Sequence, residues 1–203
     1  MLPAGAVINE AALAEEFKTG RGPVRKAVRR LQGIRLVSRE PYVRARVVDL
    51  TAQSARELFE MRLALEGMAC RLAAERMTDE QIQSLLTWLE QERHSALAGN
   101  APASSMQSFD FHEHIVAGCR NTMIYGALCG DLYHLLRIYR RRSGAVPERM
   151  EEAYAEHWQI IRAIRSRDGD LAESLMRSHV ARAAEHAFSQ LPTLATTRGA
   201  QRA

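Results

Sequence analysis

Residues 156–179 read EHWQIIRAIRSRDGDLAESLMRSH, and this stretch decides the fold class. Apolar residues recur every three to four positions on both sides of the segment 167–170, in which a glycine lies between two helix-capping aspartates. The pattern predicts two antiparallel helices joined by a short turn.

A histidine lies near each end of this predicted hairpin. His157 is about eleven residues before the turn and His179 about ten residues after it, so the two side chains should come out at nearly the same height. Each histidine shares a helical stripe with aliphatic residues of its own helix. We therefore expect both to point inward, where they could contact one ligand.

The same helical periodicity runs through the chain from Thr51 onward, with no credible strand. Thr51 should begin a long helix through Arg76, and Thr78 with Gln81 forms a capping box for the next helix, which should end near Gly99. Further helices are predicted at about 106–118, 122–143, 148–166 and 170–190. Residues 51–190 are thus expected to form an all-α domain, and residues 191–203 a disordered tail.

Residues 1–50 have a different pattern, which predicts a winged helix-turn-helix. Two short helix candidates, NEAALAEEF from Asn9 and RGPVRKAVRRLQ from Arg21, are separated by three residues. The segment LVSREPYVRARVVDL then alternates and is rich in valine, as expected of two short strands around a turn near Pro41. The fold class is therefore mainly α, with a winged head before a helical bundle.

Charge separates the two regions. Residues 1–48 hold 10 Lys/Arg and 4 Asp/Glu, whereas the remainder holds 18 and 20. A basic module before a nearly neutral one is typical of a polyanion-binding head on a body with another task. A merely solvated basic face is the alternative, but the adjacent turn and basic hairpin favour DNA binding.

Several classes of protein are disfavoured by composition. The 203 residues contain no run of about 18 apolar residues and begin with no signal or lipidation motif, so we expect a soluble, cytoplasmic protein. The three cysteines have no CxxC spacing and should be free thiols rather than metal ligands. None of the seven histidines follows a glutamate by three residues, as di-metal bundle enzymes require, and HExxH is absent.

A third histidine joins the hairpin pair. His112 falls on a stripe with Ile115 and Val116, whereas His114 falls on a polar side of the same predicted helix. Three inward histidines in one helical domain indicate a metal site built from neutral imidazoles. The alternative is that all three are core residues hydrogen-bonded to polar neighbours or water.

In combination, four segments of the chain resemble the GntR family of bacterial transcription regulators, in the FadR-like branch with an all-helical FCD effector domain. They are LAEEFKTGRGPVRKAVRRLQGIRLV, ELFEMRLALEGMACRLAAER, FHEHIVAGCRN and the hairpin itself, and the resemblance covers about residues 5–190. It implies a dimeric regulator that reads operator DNA and binds a small organic acid, often beside a divalent metal held by one Asp and three His.

Carried over residue by residue, the metal histidines are His112, His157 and His179. Ser108 stands where the family's aspartate is expected, and Asp110 lies about 160° around the helix from His112. The site should therefore have one fewer negative charge, and zinc or nickel fits it best. An anionic effector or water would supply the missing oxygens, with Arg62, Ser108, Arg137 and Arg140 as candidate effector contacts.

The head departs from the family pattern in three places. The family normally has a first helix of some twenty residues before the point where this chain starts, and we expect the head to lack it. Gly20 and Gly22 replace hydroxyl residues beside the recognition arginine. At the wing tip, Val43 and Arg44 replace the usual Arg-Gly.

A ligand-responsive regulator is the leading functional hypothesis. A sensor that has lost DNA binding is its rival, and a metal-dependent enzyme is third. The DNA contacts are assigned to Arg21, Arg25, Lys26, Arg29 and Arg44. A homodimer is expected because one recognition helix usually reads only a half-site.

Overall fold

The computed structural model describes residues 2–3, 5–40, 42–48, 51–98, 107–136 and 147–189. The predicted tail at 191–203 lies outside these ranges, as do Pro41 and residues 99–106.

The N-terminal module has the predicted helix-turn-helix and wing. Helix α1 spans Glu10–Glu16, and the Asn9 side chain caps it by accepting hydrogen bonds from two backbone N–H groups. Helix α2 spans Arg21–Gly33 and begins at Gly20 without a side-chain cap, as the sequence predicted. Strands β1 (Val37–Ser38) and β2 (Arg46–Val47) pair antiparallel to form the wing.

A small apolar core holds this module together. It consists of Ile8, Ala14, Val24, Val28, Val37 and Ala45. The segment before α1 also pairs with β2, since the Ile8 N–H donates to the Ala45 carbonyl at 2.8 Å and Val7 bridges Arg46. The sequence pattern did not predict this extra pairing. This backbone pairing fixes the wing against the helices.

The described part of the body is helical, as predicted. Thr51 caps a long helix, and Thr78 and Gln81 form the expected reciprocal capping box. The helices are α3 (Ala52–Arg76), α4 (Asp79–Leu97), α5 (Gln107–Gly118), α6 (Thr122–Tyr125), α7 (133–136), α8 (Pro147–Arg165) and α9 (Gly169–Ser189).

The prediction of one continuous helix over 122–143 was wrong in its described part. Helix α6 gives way to a π-helix, Gly126–Asp131, before α7. Two glycines in the segment GALCGD weaken the preference for a regular α-helix. The wider turn lets Leu128 pack into one apolar cluster and Leu132 into another.

The hairpin of α8 and α9 packs against α3 around the main core, which α4 and α5 complete. Helices α3 and α9 approach closely at Gly67, where an added Cβ would lie 2.8 Å from Cγ of Arg177. Arg71 on α3 also pairs with Glu173 on α9, with 2.6 Å between Nε and Oε2. This packing holds the N-terminal half of α9 at a fixed height beside α3.

The hairpin turn depends on Arg167 as well as on its glycine. Gly169 is not the left-handed residue of the turn; Arg167 is, with a φ of 59°. Its guanidinium donates to the Met77 carbonyl at 2.5 Å, which caps the end of α3 and holds the turn. Gly169 instead opens α9 where a Cβ would lie only 3.2 Å from Cγ of Arg71. The glycine therefore serves close helix packing.

Within the described ranges, no helix combines the length and the apolar character that crossing a membrane requires.

Candidate metal centre and DNA-binding surface

The three predicted histidines meet inside the body. His112 lies on α5, His157 on α8 and His179 on α9, and all three are buried. One ring nitrogen from each lies within 4.8 Å of the others. The prediction that the hairpin histidines lie at one height and point inward is confirmed, and so is the outward position of His114, which is exposed.

The ring nitrogens of His112 and His179 face each other. Their Nε2 atoms are 3.2 Å apart. Two nitrogens bound tetrahedrally to one zinc ion at about 2.0–2.1 Å would be separated by roughly 3.3 Å. The His157 ring completes the group, stacked on Phe111 with 3.7 Å between ring centroids. The three imidazoles are therefore of the donor type that a transition-metal ion prefers, and the His112–His179 pair has the spacing of two zinc ligands.

Two glutamates hold the opposite edges of these rings. Glu66 Oε2 lies 2.6 Å from His112 Nδ1, and Glu156 Oε2 lies 2.5 Å from His179 Nδ1. A carboxylate at this distance can accept an Nδ1–H, which would fix the tautomer and direct the Nε2 lone pair at the centre. The arrangement is that of a metal-binding histidine backed by a carboxylate.

Each glutamate is in turn paired with an arginine. Arg62 lies one helical turn from Glu66 on α3, with 2.5 Å between Nε and Oε1, and both side chains are buried. Arg182 pairs with Glu156 at 2.5 Å. Burial alone would raise the pKa of Glu66, but the charges of Arg62 and His112 outweigh it and hold this pKa well below its ordinary value. Glu66 is therefore a carboxylate inside the protein.

Neither glutamate was predicted as part of the site, although the sequence carries a signal for both. Glu66 follows Arg62 by four residues on the α3 stripe that buries Phe59 and Cys70, so two charges interrupt an apolar face. Glu156 precedes Ile160 by four residues on the inward side of α8. Buried charges usually have partners of opposite charge, and that rule would have directed attention to them.

The predicted effector contacts have different outcomes. Arg62 forms a buried ion pair with Glu66 and is only 2% exposed. Ser108 lies on α5 one turn before His112, but its side chain is outside the described part of the structure. Arg137 and Arg140 also lie outside the described residues.

The cysteines take no part in the centre. All three are free; Cys70 and Cys119 are buried and Cys129 is half-buried. Burial raises the pKa of the Cys70 and Cys119 thiols, and burial with nearby Glu113 raises that of Cys129 to about 12. The protonated thiols are poor metal ligands.

The five predicted DNA contacts all lie on the surface of the N-terminal module. Val24 and Val28 anchor α2 in the small core, which leaves its basic residues exposed. Arg44 is exposed on the wing, where Tyr42 takes the left-handed conformation with a φ of 63°. The exposed basic residues are Arg21, Arg25, Lys26, Arg29 and Arg44.

Glu10, at the start of α1, pairs with two basic residues of this surface. Its carboxylate lies 3.5 Å from Arg25 Nε and 3.6 Å from Arg39 Nη1. Glu10 was not among the residues predicted for this surface.

Both modules match the models of known protein families. Residues 1–47 match the model for bacterial regulatory proteins of the gntR family, and residues 57–182 match the FCD domain. The chain is 31% identical to the HTH-type transcriptional repressor NanR of Enterobacter sp. (strain 638), covering 90% of this chain and 77% of that protein. It is 29% identical to a probable D-xylose utilization operon transcriptional repressor of Paenarthrobacter nicotinovorans, covering 89% and 78%.

A solved structure has the same fold. E. coli McbR/YncC aligns with a TM-score of 0.68 at 20% identity, covering 93% of this chain and 90% of that one.

A winged helix-turn-helix followed by an all-helical domain defines a DNA-binding transcription regulator rather than an enzyme, in agreement with the names of these relatives. The chain belongs to the GntR family of bacterial regulators, in the FadR-like branch with an FCD domain.

Proposed function

We propose that this regulator binds operator DNA as a cytoplasmic homodimer and senses a small organic acid at a divalent metal held by His112, His157 and His179. Bound there, the metal supplies a Lewis-acidic anchor for an anionic effector. The protein supplies three neutral imidazoles and the carboxylates that orient two of them.

The arrangement of His112 and His179 supports the metal more than any other observation. Nδ1 of each ring lies beside a carboxylate, 2.6 Å from Glu66 for His112 and 2.5 Å from Glu156 for His179, so the two Nε2 atoms face each other across 3.2 Å. Two neutral rings in this orientation need a cation between their Nε2 lone pairs; otherwise one ring must carry a proton on Nε2 that the other ring accepts. A metal ion fulfils this requirement, and zinc or nickel suits imidazole better than magnesium or calcium does.

The charges around the centre favour an anionic effector. Glu66 is balanced by Arg62 and Glu156 by Arg182, so the four groups together are neutral. A divalent ion on three neutral imidazoles would then keep its double positive charge, which a carboxylate effector offsets. We assign Arg62 to orienting Glu66, and we keep Ser108, Arg137 and Arg140 as the proposed effector contacts.

The first prediction concerns Ser108, the neutral residue one turn before His112. Ser108→Asp should raise zinc affinity on the order of tenfold, equal to about 1.4 kcal/mol, because a carboxylate is a better ligand than a hydroxyl. Competition titration with a zinc chelator measures the change. Ser108→Asn is the matched neutral control and should have little effect. If neither wild type nor Ser108→Asp binds zinc, the histidines are core residues.

For DNA, we propose that Arg21 and Arg25 contact bases, whereas Lys26, Arg29 and Arg44 contact phosphates. Arg21→Ala or Arg25→Ala should weaken binding by about 1 to 3 kcal/mol on a duplex selected from a random library by the wild type. Lys26→Ala should instead weaken all sequences alike. Gel shifts with selected and unrelated duplexes separate the two outcomes. Unchanged shifts for both arginine variants would refute the assignment of α2 as the recognition helix.

A sensor without DNA binding is the second candidate, favoured by the start of α2 at Gly20, which provides no side-chain cap. A gel shift on the region upstream of its own gene tests it. Sedimentation at micromolar protein concentration tests the homodimer, and a strictly monomeric mass would contradict it.

A further inference from the structure

We propose that Glu10 is a specificity-determining residue of the DNA-binding surface: it orients Arg25 for base contact and links it to Arg39 of the wing. The inference rests on the proposed reading of DNA by α2. It assigns a role to an acidic residue inside a basic surface, where a carboxylate would otherwise only repel phosphates.

The position of Glu10 suits this role. It is the first residue of α1, next to the Asn9 cap, so its backbone is held by the helix start. Its side chain is 20% exposed, compared with 57% for Arg25 and 44% for Arg39. The carboxylate is therefore the more buried member of both pairs.

The geometry of the Arg25 pair leaves the base-reading edge available. The Glu10 carboxylate approaches Arg25 at Nε, 3.5 Å away. The edge formed by the two terminal nitrogens points away from Nε, and this edge can donate two parallel hydrogen bonds to O6 and N7 of a guanine. An arginine held at Nε loses less conformational entropy when it makes that contact.

The second pair joins two elements that approach DNA separately. Arg25 lies on α2, and Arg39 follows β1 in the wing. Both guanidinium groups pair with Glu10: Arg25 with Oε2 and Arg39 with Oε1. The shared carboxylate reduces the repulsion between two like charges and sets their relative position. It also lowers the net positive charge available to phosphates, which disfavours non-specific binding.

Glu10→Gln tests the proposal, because it keeps the side-chain shape and removes the charge. The probes are the duplex selected by the wild type and an unrelated duplex of equal length, with fluorescence anisotropy at several salt concentrations. We expect the ratio of selected to unrelated affinity to fall about 5- to 20-fold, part of what a whole bidentate contact provides. Affinity for the unrelated duplex should rise, because one negative charge is lost.

Glu16→Gln is the matched control. Glu16 lies on the same helix, is exposed, and undergoes the same change in charge. It should leave the ratio unchanged. In an Arg25→Ala background, Glu10→Gln should no longer lower the ratio, as expected if Glu10 acts through Arg25.

Two results would overturn the proposal: equal ratios for Glu10→Gln and Glu16→Gln, or a Glu10→Gln effect that persists in the Arg25→Ala background. Either result would leave DNA reading by α2 intact. Failure of the wild type to select any duplex would instead refute the proposed DNA binding itself.

Discussion

His179→Ala should lower the affinity for zinc by more than about 100-fold, the largest effect on zinc binding that we expect of any single substitution. Loss of the carboxylate behind a metal-binding histidine costs about 10- to 100-fold, and loss of the histidine itself should exceed that. His179 also makes two short contacts of the centre, 3.2 Å to His112 and 2.5 Å to Glu156. Competition with a chromophoric zinc chelator measures the change.

His114→Ala is the control for this prediction. His114 lies on α5 beside the centre but is exposed, so its removal should leave zinc affinity unchanged. Glu156→Gln should give an intermediate loss, since the amide orients the ring less firmly than the carboxylate does. Equal affinities for wild type and His179→Ala would show that zinc binds elsewhere.

Glu66→Ala should lower the free energy of unfolding by about 3–5 kcal/mol, because it leaves the buried guanidinium of Arg62 without its carboxylate. The distance between Arg62 Nε and Glu66 Oε1 is 2.5 Å, and both side chains are nearly inaccessible to water. The substitution also removes the acceptor from His112 Nδ1. Urea unfolding followed by circular dichroism measures the loss, with the slope checked for two-state behaviour.

Glu60→Ala serves as the comparison, because Glu60 is exposed on the same helix. The Glu60→Ala variant should unfold at nearly the same urea concentration as the wild type. A loss below about 1 kcal/mol for Glu66→Ala would mean that water or another group compensates Arg62, and the pair would then not hold the centre together.

Helical periodicity and capping residues were enough to predict most of the fold. Thr51, Thr78 and Asn9 begin helices where the sequence places them, because a side-chain oxygen satisfies free backbone N–H groups there. The π-helix at 126–131 was not predicted. Its one-residue shift in helical register is set by the packing of Leu128 and Leu132 into two different apolar clusters, which is a tertiary effect. The close packing of Gly169 against Arg71 is a tertiary effect that the sequence pattern does not specify.

The candidate centre was only partly predictable for a similar reason. The histidines follow from spacing along one hairpin and one further helix, which are local properties. Glu66 reaches His112 from α3, 46 positions earlier in the chain, and no local pattern specifies that distance. The Glu10 pairs likewise depend on how α1, α2 and the wing pack together.

Metal content tests the central claim most directly. Protein without a histidine tag is purified without chelator, incubated with zinc, passed through a desalting column and analysed for metal by mass spectrometry, beside a His112→Ala, His157→Ala, His179→Ala triple variant. We expect close to one zinc ion per chain in the wild type and none in the folded triple variant. A wild type that retains no metal, or a triple variant that retains as much, would contradict the account.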